Sequence, residues 1–330
     1  MKKQSNLFSF MLILTLFVCG FVTSNSTFAA DSDAVAKFPE KRIEIIASFG
    51  PGSGVDITSR ALAGPLSRVL GVDVIVTNIE GSQGLVGTEH AYNQAADGYT
   101  IFLTTQTHLI TQVYGLSDII FTKEFEPVCR MLHDVTVVST NPKGRFKTFE
   151  ELSAFAKEHP NEVKVAGVAP TGLDGMIVKQ FIQNSGVPLD MVAFSNSSEC
   201  KSALLGNHVD LSVDDIVSTS PLVQAGELIG MMVLAEKRVE QLPEIPCSVE
   251  LGINATIGAW RGISVRRGTD PAIVDKLEQA IIAAMKDPEW LAFVDRGMMN
   301  QRQGFASTGD FAKIWDEEMA FFTKLADIKK

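Results

Sequence analysis

The chain has 330 residues, 29 Lys and Arg against 39 Asp and Glu, and 45% hydrophobic residues. That composition excludes a disordered segment, a collagen-like repeat and a disulfide-dense miniprotein, while the length allows one large domain or two moderate ones. A formal charge of −10, with no Lys/Arg block to offset it, argues against a nucleic-acid partner.

Lys2 and Lys3 precede an apolar run over residues 7–22, and Thr27-Phe-Ala-Ala30 follows. This reads as an export signal over residues 1–29, cut after Ala29, where small side chains occupy both key positions. The run is short for a membrane span, so no stable membrane insertion is expected once the signal is removed. Leu16, Phe17 and Val18 precede Cys19, and Val18 is bulkier than a lipid-attachment site usually accepts. Three cysteines remain in the mature chain: Cys129, Cys200 and Cys247. An odd number in an oxidising compartment allows at most one disulfide, with a Cys200–Cys247 bond left open, and the spacings match no metal motif.

Residues 43–48 (IEIIAS) form a β-branched run that ends at the glycine-rich stretch 49–56. A helical pattern follows, with apolar Ile57, Ala61, Leu62, Leu66 and Val69, stopped by Gly71. Gly64-Pro65 predicts a kink or break inside it. Residues 72–77 read as a second strand. Gly81, Gly84 and Gly87 then open another helix, and Asp97-Gly98 turns into a strand over 99–103. Strand, loop and helix in alternation predict a mostly parallel sheet with helices on its faces. A second set follows, with helices over 149–157, 176–183 and 198–205 and strands over 163–168, 191–194, 208–213 and 231–234. Three helices close the chain over 271–285, 288–295 and 308–326, capped by Asp270, Asp287 and Ser307 or Thr308. The expected fold class is α/β, two lobes with a cleft between them.

No catalytic constellation survives inspection. The five histidines are scattered, and no H-E-x-x-H, C-x-x-C or G-x-S-x-G is present. Gly50-x-Gly52-x-Gly54 fails both the dinucleotide fingerprint and the P-loop pattern. The chain is therefore read as a non-enzyme with no cofactor and no metal. A glycine-rich loop between a strand and a helix nevertheless exposes backbone N–H groups at the positive end of a helix dipole, which suits a carboxylate. Phe49, Pro51, Gly52, Ser53, Gly54, Val55 and Asp56 are accordingly candidate ligand residues, with Asp56 also read as the helix N-cap. The loop Ala169, Pro170, Thr171, Gly172, Leu173 and Asp174 holds the matching place in the second lobe, as do Ser195 and Asn196. Thr105 and Gln106, just past the third strand, are counted with them. Asp214 reads either as an acceptor for a ligand hydroxyl, amide or ammonium or as a turn residue beside Asp215.

These residues resemble the extracytoplasmic substrate-binding proteins of tripartite tricarboxylate transporters, the Bordetella uptake gene family. The similarity runs through Pro51-Gly-Ser-Gly-Val-Asp56 and Ser59-Arg-Ala-Leu62, then Val74-Ile-Val-Thr-Asn78 and Asp97-Gly-Tyr-Thr100. It continues with Glu126-Pro-Val128, Gly206-Asn-His-Val-Asp-Leu211, Ala225-Gly-Glu-Leu228, Leu242-Pro-Glu-Ile-Pro246 and Trp260-Arg-Gly262. The resemblance implies a two-lobed, type II-like periplasmic binding fold, with residues 30–137 and 260–330 as lobe 1 and 138–259 as lobe 2. Crossovers are implied at 135–139 and 258–265, with the helical tail packed on the first lobe. Also implied is a periplasmic protein that closes over a small organic acid and hands it to a two-component membrane permease. A sensor feeding a membrane kinase is the alternative. Trp260, near a crossover, reads either as a reporter of closure or as core. Two departures stand out: Thr171-Gly-Leu-Asp-Gly175 puts an acid or a glycine where family members often carry His, and Phe194-Ser-Asn196 lacks the family's lysine. Both disfavour a citrate-like trianion and favour a monocarboxylate or neutral-tailed acid.

Overall fold

The computed structural model describes residues 32–327; the expected export signal lies outside them. After α1 (Ser32–Lys37), β1 (Ile43–Ala47) buries Ile43, Ile45 and Ile46 completely, as its apolar run requires. Ser53, not Asp56, caps α2 (Gly54–Leu70): its hydroxyl accepts the Asp56 N–H at 3.2 Å. The helix also runs on through Pro65, so the expected break does not occur. Leu62 and Leu66, fully buried on either side of the proline, tie both halves of the helix to the same core. Gly71 then ends the helix in the left-handed conformation, φ 71°.

The first lobe continues with β2 (Val74–Asn78), a short 3₁₀ turn (Ser82–Gly84), α3 (Leu85–Tyr92), β3 (Thr100–Thr104), α4 (Gln106–Val113), α5 (Phe121–Glu124) and β4 (Phe125–His133). The second lobe comprises β5 (Thr136–Thr140), α6 (Phe149–Glu158), β6 (Lys164–Gly167), α7 (Leu173–Ser185), β7 (Asp190–Ala193), α8 (Ser197–Leu205), β8 (Leu211–Asp215), α9 (Ile216–Gln224) and β9 (Ile229–Leu234). The chain then returns to the first lobe through β10 (Trp260–Arg266), α10 (Pro271–Ala284), α11 (Pro288–Arg296) and α12 (Thr308–Ala326).

The two sheets share one plan. Their strand orders are β2-β1-β3-β10-β4 and β7-β6-β8-β5-β9. In each, four strands run the same way and the fourth in order runs against them. The reversed strand is the first one made after the chain crosses over: β5 on the way out, β10 on the way back. The expected crossovers 135–139 and 258–265 are thus mostly these two strands. The connecting segments themselves lie side by side, with Asp134 N–H donating to the Ala259 carbonyl at 2.7 Å and Thr136 Oγ1 to the Ile257 carbonyl at 3.2 Å.

The strand expected over 208–213 begins instead at Leu211 and runs to Asp215, because Gly206 to Asp210 form the turn after α8. The tail helices sit where expected, with Asp270, Asp287 and Ser307 as caps. α10 and α11 pack on α2, and α12 packs on α4 and β4 while also touching α7 of the second lobe. Trp260 is core: fully buried, edge-on to Phe311 at 4.9 Å, its indole N–H donating to Glu318 at 2.6 Å. Cys129, Cys200 and Cys247 are all buried and unpaired. Among the described residues no helix is long and apolar enough to cross a membrane.

The contact between the two connections leaves no room for a side chain at Gly258, where a Cβ would run into the Asp134 carbonyl. Gly258→Ala should therefore lower unfolding stability by about 1–3 kcal/mol, the usual cost of overpacking. Gly309→Ala, in the first turn of α12 with open space around it, should be neutral or stabilising by up to about 1 kcal/mol. Urea unfolding midpoints compare the two; equal effects would place the strain elsewhere.

Candidate functional site

The carboxyl ends of β1, β3, β6 and β8 meet around one cleft between the sheets. The first lobe lines it with Phe49, Ser53, Gly54, Val55, Gln83, Thr105 and Thr107. The second lobe contributes Val168, Ala169, Gly172, Leu173, Asp174, Ile177, Ser197, Val213, Asp214 and Asp215. Thr136, Ala259 and Arg261, from the paired connections and the strands they enter, close its floor. Strand ends leading into helices form this kind of crevice because successive loops emerge on the same side of the sheet.

Two helix N-termini reach the cleft. At α2, Asp56 does not face the ligand space; it is buried and folds back to organise the loop. One of its oxygens accepts the Gly52 N–H at 2.9 Å, and the other accepts Arg60 Nε at 2.9 Å and Asn78 Nδ2 at 3.0 Å. Burial works against its charge, but these donors prevail and hold the carboxyl below the ordinary range. Gly54 and Val55 then open the helix with backbone amides that have no intrahelical acceptor. At α7 the N-cap is Gly172, which offers no side-chain cap. Gly175, in that helix's first turn, lies directly on the Pro170 carbonyl, where a Cβ would clash.

Arg261 fastens the floor. Its side chain is 1% exposed, and its guanidinium pairs with Asp134 from the first connection and with Asp215 of the second lobe at 2.5 Å. Burial opposes the guanidinium charge, yet the two carboxylates hold its pKa above the usual value. Gly54 lies against this pair so closely that a Cβ would collide with both Arg261 Nη2 and Asp215 Oδ2. The lobes also touch through Thr171 Oγ1, which donates to Gln83 Oε1 at 2.9 Å. Gln83 sits at φ 60°, an unfavourable conformation for a non-glycine residue and one that recurs at ligand sites.

Acidic groups dominate the second-lobe wall. Asp174 Oδ2 accepts the Val168 N–H at 2.6 Å, and burial above all, then Asp214 and Asp215, pushes its carboxyl up to about 7. Asp214 pairs with Lys201 at 3.2 Å; burial still raises it above the ordinary value.

Of the residues singled out from the sequence, Phe49, Ser53, Gly54, Val55, Thr105, Ala169, Gly172, Leu173, Asp174 and Asp214 line the cleft. Pro51, Ser195 and Asn196 line a smaller neighbouring hollow that opens beside it. Asn196 is engaged as the N-cap of α8. Gly52, Asp56, Pro170 and Thr171 act on the loops and on the contact between lobes. Gln106 is buried behind the floor, donating to the Gly258 carbonyl at 2.7 Å and accepting the Trp260 N–H at 3.0 Å. Residues missed in the sequence include Gln83, Thr136, Asp215 and Arg261. For Gln83 the signal was present in its glycine-flanked position; Arg261 stood inside the Trp260-Arg-Gly262 motif, but nothing local gave it a role.

A family model described as tripartite tricarboxylate transporter family receptor matches residues 58–325. Protein BugT from Bordetella pertussis is 29% identical over 275 residues, 82% of this chain and 84% of that protein. Among solved structures, a Rhodopseudomonas palustris protein with adipate superposes with a TM-score of 0.80 at 23% identity, over 88% of this chain and 97% of the other. MatC from the same organism, with bound malate, gives 0.79 at 20% identity over 88% and 100%. At those identities the structural likeness is one of fold.

Two outcomes follow from the charges. Arg261→Met strands two carboxylates at the floor and should destabilise the protein by about 3–5 kcal/mol, read as a lowered urea midpoint. Stability should also fall as pH rises from about 6.5 to 8. Asp174 and Glu318, raised to about 7 chiefly by burial, stabilise at low pH and lose that contribution as pH climbs through 7, with Asp134 and Asp214 shifted the same way. His108 and His133, lowered by burial to about 4 and about 3, work oppositely, but their gain is complete once pH passes the unfolded value of 6.5. Midpoints at pH 6.5 and 8 check this; a midpoint still rising to pH 8 would contradict it.

Proposed function

The chain belongs to the tripartite tricarboxylate transporter receptor family, and from that premise we propose that it captures a small organic acid in the interlobe cleft and delivers it to a tripartite tricarboxylate-type transporter. One observation carries the reading: two helix N-termini, that of α2 at Gly54 and that of α7 after Gly172, open onto the same cleft; the Ser53 cap of α2 takes only the Asp56 N–H, and α7 has no side-chain cap. Each presents backbone donors and a positive dipole end, which suits a carboxylate without requiring a lysine. The relatives solved with malate and adipate support the same ligand chemistry. On this reading residues 30–137 with 260–330 form one lobe and 138–259 the other, the first 29 residues direct export to the periplasm, and a two-component membrane permease receives the ligand.

Capture proceeds by closure. A ligand touching both lobes lowers the free energy of the closed form relative to the open one by the contacts that only closure provides. The Gln83–Thr171 bond lies where such contacts would be made and broken, above the floor that the Asp215–Arg261 pair holds. Chemistry at the ligand is not part of the cycle.

Thermal unfolding of the mature protein against mono-, di- and tricarboxylates and amino acids tests the proposal. A true ligand at about 100 times its dissociation constant adds about 2.7 kcal/mol, enough to raise the midpoint by about 5–10 °C. Gly54→Ala, whose Cβ would press on the Arg261–Asp215 pair, should weaken that ligand at least tenfold and lower the urea midpoint as well. No shift with any carboxylate, in protein freed of bound ligand by unfolding and refolding, would defeat the proposal.

A further inference from the structure

We propose that Gln83 is a specificity-determining residue: its side chain, drawn across to Thr171 of the second lobe, closes the neck between the cleft and the neighbouring hollow and so sets the length of acid that the cleft accepts. The proposal rests on the carboxylate-binding reading above and deepens it from where an acid binds to how long that acid can be.

The turn that carries Gln83 runs against ordinary backbone preference. Gly81, Ser82, Gln83 and Gly84 all take positive φ, at 134°, 47°, 60° and 87°. Glycine adopts such angles freely, whereas serine and glutamine do so at a cost. Gly84 seats the turn on the end of β1, where a Cβ would stand 3.2 Å from Ser48 Oγ and 3.3 Å from Phe49 Cζ. A glutamine held in this conformation calls for a compensating contact, and the one it makes lies in the other lobe, where Thr171 Oγ1 donates to Gln83 Oε1 at 2.9 Å.

Five residues line both the cleft and the hollow: Phe49, Ser53 and Gln83 from the first lobe, Val168 and Ser197 from the second. They mark the neck. Four of them are fixed within their own lobes. Phe49 packs edge-on against His108, ring centroids 6.2 Å apart, and Ser53 holds the Asp56 N–H at 3.2 Å. Val168 donates its N–H to Asp174 at 2.6 Å, and Ser197 opens α8 behind its Asn196 cap. Gln83 differs in reaching across to the other lobe. Beyond the neck the hollow is lined by Ser82, Ser195, Asn196 and Ser198, which suit a polar tail, and by Glu80, whose carboxylate disfavours a second one. An acid anchored at the α2 and α7 amides with too long a tail must therefore break the Gln83–Thr171 bond and hold the lobes apart. With that side chain gone, the tail runs on into the hollow.

Calorimetric titration of the wild type, Gln83→Gly and Gln83→Asn tests the assignment, with straight-chain monocarboxylates, ω-hydroxy acids and α,ω-dicarboxylates of increasing length as probes. Glycine removes the side chain and fits the turn. Asparagine tolerates a left-handed turn better than glutamine does but is a methylene short of Thr171, so both variants keep the local fold. Past a limiting length the wild type should lose about tenfold or more in affinity per methylene, and both variants should move that limit outward by about two carbons, ω-hydroxy acids gaining most. The same limit in all three proteins would overturn the role given to Gln83 and leave the carboxylate reading standing. So would an equal loss of affinity at every length in the variants, the result of a side chain that merely steadies the closed form. Absence of binding by every probe to the wild type would overturn the reading beneath it as well.

Discussion

The ion-paired Arg261 is the constraint around which the rest is arranged. A guanidinium this deeply buried is tolerated only with its charge met, and the two acids that meet it come from separate parts of the chain: Asp134 from the first connection and Asp215 from the end of β8. One side chain thereby holds together the two connections and the second sheet. Its position also dictates the residue across the cleft, because Gly54 is the opening residue of α2 and any larger side chain there would displace the pair. The glycine-rich loop is thus shaped from two directions. Asp56 organises it from within, and the Arg261–Asp215 pair limits its bulk from without.

Polarity in the cleft follows from the same arrangement. Helix starts supply positive potential without mobile side chains, so the donor side needs little ordering when a ligand arrives. The acids on the facing wall are dominated by burial, which raises Asp174 and Asp214 together. Each also repels the other's charge, so neutralising one of them eases ionisation of the other.

Much of this was legible in the sequence, and the exceptions have physical causes. β1 announced itself by IEIIA, a β-branched run that can be satisfied only by burial on both faces. The tail helices were marked by Asp-Pro pairs at residues 270–271 and 287–288, where the acid caps and the proline fits the first turn. α4 escaped notice because the residues it buries include Gln106, Thr107, His108 and Thr111, which read as loop until their partners are known. His108 bonds Ser48 at 3.1 Å and Gln106 spans the returning strand, contacts 60 and more than 150 positions away. Asp134 and Arg261 are separated by 127 residues, so no spacing rule could have joined them. The acidic side chain at residue 174 was visible as a departure from the family pattern, but its neighbours on the wall were not.

The sheet order has a consequence for how the molecule is assembled. The second sheet is complete within residues 136–234, a continuous stretch of chain. The first is not: its strands β3 and β4 flank a place that only β10, beginning at Trp260, can fill. Until that strand emerges, both flanking strands present open edges, and the lobe that begins the chain lacks its middle. Loop-closure entropy favours contacts between near neighbours, so the inserted lobe is the one equipped to fold first and to carry β10 into place. The lobe built from the first and last described elements is consequently the last to become whole, and truncation anywhere before residue 266 leaves it unfinished however much of its sequence is present.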